Sequence, residues 1–277
     1  MFPQGVLMPS EMSITPANEP PLIFHVQGDV GVFTFNRPAK YNSMSLQLLD
    51  LFEDALSKIE SGTIDVRVIL IRATGKHFCT GADIDIVLEC VKKGPESIKK
   101  WIERGQALFA RIEAAPVPVV VAIQGLCLAG GLELMLACDV VLATESSRIG
   151  DQHVNFGFLP GWGSSARLPR LIGQRRALEL MYSGRMLGAA EALDWGLISK
   201  VVPDDKLEEE VQTYCAVLAT RSRSGLTAMK RMIRDGYGDA LDAAHCREVD
   251  AVVQQLQSID GNEGFSAFRE KRKPVFK

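Results

Sequence analysis

The chain has 277 residues, 47% hydrophobic and 23% charged, close to the average of soluble globular proteins, which excludes disordered and fibrous classes. Its 31 Lys and Arg against 34 Asp and Glu give a formal charge of −3, so there is no basic surplus for general nucleic-acid binding. Six single cysteines without a C-x-x-C pair argue against a zinc site or disulfide framework, and for a reducing, cytoplasmic compartment.

Residues 1–21 carry five prolines and no basic residue, and read as a flexible arm rather than a secretory or transit signal. Two β-type runs, Leu22–Gln27 and Val30–Asn36, flank Gly28–Asp29 as a hairpin. Ser45 reads as an N-cap, followed by Leu48, Leu49, Phe52, Leu56 and Ile59 at helical spacing. Val66–Arg72 has the β-branched density of a buried strand; a polar loop, Ala73–Asp85, and a helix near Glu96–Glu113 follow. The variable segment Asp85–Trp101 is read as a loop. The apolar run 114–123 is about half the length of a membrane helix and holds two prolines, so Val117–Ile123 is a strand and no membrane span is expected. A small-residue turn, Gly125–Gly131, opens a helix to Ala137, and short strands follow at Val140–Ala143 and near Arg148. After a second Gly/Pro turn, Leu159–Ser164, helices are expected at Leu178–Tyr182, Ala189–Trp195, Leu207–Ala219, Leu226–Tyr237 and Leu241–Leu256. The pattern is α/β with a helical C-terminal portion, and the best boundary lies near Val202–Asp205.

The chemistry gathers in the turns. Gly75–Asp83 reads G-K-H-F-C-T-G-A-D and Gly125–Glu133 reads G-L-C-L-A-G-G-L-E. Small residues before a helix allow close backbone approach, and the free N–H groups there suit an oxyanion; tight helix–strand packing explains the same glycines. Glu133 stands in an apolar run (Leu132, Leu134, Met135, Leu136), where burial raises a carboxylate's pKa toward general acid–base use. A first-turn acid favoured by the helix dipole is the alternative. His153 lies in G-D-Q-H-V-N-F-G, with Asp151 placed to orient its ring if the chain folds back; a structural histidine is the alternative. No G-x-S-x-G elbow, Walker loop or G-x-G-x-x-G turn is present, which demotes nucleophilic triads, nucleotide hydrolysis and hydride transfer.

Together the segments resemble the enoyl-CoA hydratase/isomerase (crotonase) family. In order they are Asn36–Arg37–Pro38 with Asn42, Phe78–Ile84, Gly125–Leu134, Cys138–Asp139, Gly157–Gly163, Arg167–Gly173, Ala192–Pro203 and Glu263–Lys277. The resemblance implies a crotonase-like spiral of ββα units over residues 22–203 and a helical trimerisation region over 204–277, assembled as a homotrimer or a homohexamer of two trimers. It implies an acyl-CoA thioester as substrate, with coenzyme A part of the substrate and no separate cofactor or metal. By motif position the oxyanion hole falls on the N–H groups of Ala82 and Gly130. Lys40, Asp83, Ile84 and Lys230 are candidate CoA contacts, the two lysines supplying the local basic site that a net charge of −3 still permits.

Family hydratases use two glutamates; Glu133 matches the first, and His153 stands where the second belongs. The leading expectation is therefore an enoyl-CoA hydratase-like lyase in which Glu133 activates water and His153 is its second ligand or the proton donor. The alternatives are a hydrolase that cleaves a carbon–carbon bond in a β-keto or cyclic-ketone acyl-CoA with His153 as base, an enoyl-CoA isomerase, and a non-catalytic acyl-CoA binder. Hydrolases of this kind carry an aspartate nine positions after the histidine, where this chain has Trp162.

Overall fold

The computed structural model describes residues 19–276, so the arm expected over residues 1–21 lies almost wholly outside them. Strands β1 (Leu22–Gln27) and β2 (Val30–Phe35) form the antiparallel hairpin, with Gly28 taking the positive φ of 58° that its turn requires. Helix α1 (Leu46–Glu60) begins where the Ser45 hydroxyl accepts from the Leu48 N–H at 3.2 Å. Its buried stripe includes Phe52, which stacks on Phe33 of β2 at 4.4 Å between ring centroids.

A single pattern then recurs: a strand of a large sheet, a short strand or bridge of a small sheet, and a helix. β3 (Val68–Ala73) leads through a bridging residue, Cys79, to α2 (Ile84–Lys93) and α3 (Pro95–Ala114). β4 (Val119–Ile123) leads to β5 (Leu126–Leu128) and α4 (Gly130–Leu136). β6 (Val140–Thr144) leads to β7 (Arg148–Gly150), α5 (Ser164–Ile172) and α6 (Gln174–Ser183). β8 (Leu187–Gly188), α7 (Ala189–Asp194) and β9 (Lys200–Val202) complete the sheets. The large sheet runs β1-β2-β3-β4-β6-β9, parallel beyond the hairpin, and the small one β5-β7-β8. This is the spiral of ββα units.

The large sheet is apolar on both faces, as parallel strands covered on both sides are. Phe33, Ile71, Val121 and Ala143 face the main core. Val32, Leu70, Val120 and Leu142 alternate with them and pack beneath α8 (Leu207–Ala219) through Val211 and Cys215. The last elements are helices α9 (Arg223–Gly236), α10 (Leu241–Leu256) and α11 (Ile259–Glu270). Helix α10 buries none of its residues and exposes Val249, Val252, Val253 and Leu256. Among the described residues no helix is long and apolar enough to cross a membrane.

The structure departs from the sequence reading over Asp85–Trp101, where α2 and the start of α3 replace the expected loop. Helix α2 is capped by the Asp83 carboxylate accepting from the Asp85 N–H, and it ends at Gly94 with φ 97°.

Candidate active site

Cys79 bridges to Cys127, and Cys127 pairs with Ile149, which puts three chain segments in register across the small sheet. Each leaves the sheet within a few residues, at Ala82, Gly130 and Gln152. The functional turns are therefore the outlets of three neighbouring segments, and they meet for that reason.

The first two turns touch. A Cβ on Gly81 would lie 2.9 Å from the Gly130 nitrogen, and one on Gly131 would lie 2.3 Å from the Cys79 carbonyl, so glycine is the residue that fits. Ala129, between them, holds φ 49° and ψ −120°, a conformation costly for alanine, while its N–H donates to the Gly150 carbonyl. Gly130 opens α4, so its N–H has no helical acceptor. Around Ala82, the Met44 N–H donates to the Gly81 carbonyl and the Asp83 N–H to the Met44 carbonyl, which turns the Ala82 N–H away from Met44. Among the described residues neither of these two N–H groups has an acceptor.

Glu133 sits one turn into α4 and is 1% exposed. Its Oε1 accepts from the Trp162 N–H at 2.7 Å and the Ser164 N–H at 3.1 Å, which fixes the carboxylate plane. Its Oε2 lies 3.9 Å from His153 Nε2. Burial pushes the Glu133 carboxyl above its ordinary value; the two N–H groups and His153 oppose this without reversing it. His153 begins a 3-10 turn, and its Nδ1 lies 2.8 Å from Asp151 Oδ1. Burial lowers the histidine, but the hydrogen bond and charge of Asp151, with the charge of Glu133, outweigh it and leave its pKa raised. Asp151 is held below its ordinary value: burial works upward, and the His153 interactions, with a smaller contribution from the Ser164 hydroxyl, win.

Sequence reasoning left Trp162 and Ser164 outside the site because their contribution is backbone N–H, which any residue but proline carries. The Trp162 ring is also buried, against Trp101 at 5.2 Å and Phe109 at 5.6 Å. A Cβ on Gly105 would come within 2.1 Å of that ring.

The other expected contacts are placed differently. Asp83 is 8% exposed; one oxygen caps α2 and the other pairs with Arg37 at 2.7 Å, so its side chain serves the turn. Asn42 holds the same turn, donating to the Thr74 and His77 carbonyls at 2.9 and 2.8 Å. Ile84 is half exposed at the start of α2, and the Lys40 ammonium is exposed 3.9 Å from Asp85. Lys230 is turned inward: its Nζ is 2.7 Å from Asp139 Oδ2 and 3.4 Å from the Ile112 and Val117 carbonyls. Its ammonium is paired within the fold.

The ββα spiral, with Glu133, His153 and Asp151 gathered beside the start of α4, is the setting in which the class of protein is read. A family model described as enoyl-CoA hydratase/isomerase matches residues 25–277, and the chain belongs to that family. It is 31% identical over 252 residues to a short-chain-enoyl-CoA hydratase of Clostridium acetobutylicum, covering 91% of this chain and 95% of that one. It is also 31% identical over 256 residues to a crotonyl-CoA hydratase of Syntrophomonas wolfei, covering 92% and 97%. A crystal structure of an enoyl-CoA hydratase from Bacillus anthracis superposes with a TM-score of 0.87 at 34% identity, covering 93% of this chain and 99% of that one.

Proposed function

We propose that the protein is an enoyl-CoA hydratase-like lyase that adds water to, or removes it from, the double bond of a 2-enoyl-CoA thioester. The observation that carries this reading is the 3.9 Å gap between Glu133 Oε2 and His153 Nε2 beside the start of α4. Two atoms at that separation both reach one water oxygen at about 2.8 Å, an ordinary hydrogen-bond length. The family membership and the hydratase names of the relatives support the same reading.

In this mechanism the thioester oxygen accepts from the Ala82 and Gly130 N–H groups. Glu133 takes a proton from water as the water oxygen bonds to Cβ. The alkene electron pair moves through Cα onto the thioester oxygen, and the two N–H donors stabilise the enolate. Collapse of the enolate takes a proton at Cα from the His153 side. Lys40 is the expected basic residue exposed toward a CoA phosphate, and Lys230 is not part of this reading. The bare apolar side chains of α10 support the trimeric or hexameric assembly that the resemblance implies.

One geometric fact favours a second reading. Asp151 orients His153 as it would orient a general base, which suits water attack on the ketone of a β-keto or cyclic-ketone acyl-CoA. The test is a panel of short and medium 2-enoyl-CoAs followed by loss of the conjugated-thioester absorbance. Hydration of at least one member with release of no free acid is expected. Ring-opened or chain-cleaved acids from β-keto substrates would transfer the assignment to the hydrolase reading. Thermal stabilisation by acyl-CoA without turnover of either panel would reduce the protein to a binder.

A further inference from the structure

Asp151 has no part in the mechanism above, yet it is 1% exposed and sits directly behind the histidine. Burying a carboxylate is costly unless a charge and hydrogen bonds balance it. Its Oδ1 meets His153 Nδ1 at 2.8 Å, and the neutral Ser164 hydroxyl adds a smaller contribution to the same carboxylate. His153 is therefore the group that supplies a balancing charge.

The local backbone is arranged for this contact. Gln152, between the two residues, holds the left-handed conformation, φ 61° and ψ −11°, which is uncommon outside glycine. The turn is pinned from the far side, where the Gln152 amide donates to the Gly184 carbonyl at 2.5 Å and the Asn155 amide donates to it at 2.8 Å. A left-handed residue in a turn pinned by these two hydrogen bonds fixes Asp151 and His153 toward one another. The charged groups acting on the ring are Asp151 on its own segment and Glu133 on α4. Arg185, just after the neighbouring α6, is instead paired with Glu179 and Glu191, both at 2.7 Å.

Charge counting completes the picture. With Glu133 and Asp151 ionised and His153 protonated, the cluster carries one net negative charge. A site built from one carboxylate and one carboxylic acid carries the same. We propose that Asp151 is a positioning residue that converts His153 into the acid of the site, the two together acting as one neutral proton donor that delivers from Nε2. The role rests on the hydratase reading for its reaction, but the ring state is a property of the protein alone.

The protons balance. Glu133 gains one from water, and His153 loses its Nε2 proton to Cα while keeping the Nδ1 proton shared with Asp151. After product leaves, the Glu133 proton returns to Nε2 across the 3.9 Å gap through one water, restoring the starting state.

The test is an NMR titration of the His153 ring nitrogens in the full-length protein without substrate, for wild type and Asp151→Asn. In wild type the midpoint should lie above the ordinary histidine value of 6.5, and the neutral ring should carry its proton on Nδ1. Asp151→Asn removes the balancing charge, and the midpoint should fall by about 1–3 pH units. In a hydration assay the same variant should lose kcat about 10–100-fold at pH 7 with little change in KM, because the lost donor acts only during proton transfer. An unchanged midpoint in Asp151→Asn would overturn the proposal. So would a wild-type neutral ring protonated on Nε2, a result that needs no variant to fold. Because the titration uses no substrate, the shift can be present even if no enoyl-CoA is hydrated, which separates the two claims.

Discussion

Glu133→Gln should lower kcat for a 2-enoyl-CoA by about 10²–10⁴-fold, the range for losing a positioned general base, while KM changes little. The substitution keeps the shape of the side chain. The amide oxygen still accepts from the Trp162 and Ser164 N–H groups, and the amide NH₂ replaces the oxygen that faces His153. The folded protein should not suffer. A carboxyl raised by burial contributes stability that is full below its unfolded value and lost as pH rises through its folded value. At neutral pH the glutamine removes that cost, so thermal unfolding should occur at or above the wild-type midpoint. In wild type, activity should fall on the acid side as this raised carboxyl takes up its proton, and that limb should vanish in Glu133→Gln. Full activity in a folded Glu133→Gln protein would remove Glu133 from the chemistry.

The largest expected effect on stability lies away from the reacting atoms. Lys230→Met should destabilise the protein by about 1 kcal/mol, because the Asp139 carboxylate it leaves unpaired is partly open to solvent. Asp139 Oδ2 accepts from the Val119 N–H at 2.7 Å as well as from Lys230, so the pair fastens α9 to the start of β4 and the end of α4. Burial already raises Asp139 above its ordinary 3.8, and losing the lysine raises it further. A raised acid contributes stability at low pH and loses it as pH rises through the folded value, so the deficit should be greatest at neutral pH and shrink toward pH 4. Urea denaturation at pH 7 and pH 4.5 measures this, and Lys230→Met with Asp139→Asn should recover part of the loss. A variant of unchanged stability whose KM for acyl-CoA alone rises would place Lys230 at the ligand site.

The sequence was most legible where one residue carries both a pattern and a conformation. The Gly28–Asp29 turn, the Ser45 cap with its apolar stripe, and the strand–glycine–helix passage through Gly130 lie where they were read. Glu133 and His153 were legible for a related reason: a carboxylate inside an apolar helix, and a histidine between two glycine turns, demand partners. Helix α2 was obscured because Ile84, Leu88 and Val91, although helically spaced, follow a polar turn and face outward. Helix α5 was hidden by the glycine turn before it and by Pro169 within it. The rest of the site depends on through-space pairing. That Asp83 and Lys230 spend their charges on Arg37 and Asp139, 46 and 91 residues away in the chain, is a product of the spiral and of no local pattern. Asp151 stands between these cases, close to His153 in sequence but brought to its ring by the left-handed Gln152.

A crystal structure with an unreactive acyl-CoA bound tests the central claim most directly, because it places the acyl group against all the groups at once. The thioester oxygen should sit within about 3.1 Å of both the Ala82 and Gly130 nitrogens, the reach of an oxyanion donor. One water should lie within about 3.2 Å of both Glu133 Oε2 and His153 Nε2, on the Cβ side of the acyl group. A thioester oxygen bound elsewhere, or an acyl chain whose Cβ lies beyond reach of any water held by Glu133, would contradict the claim.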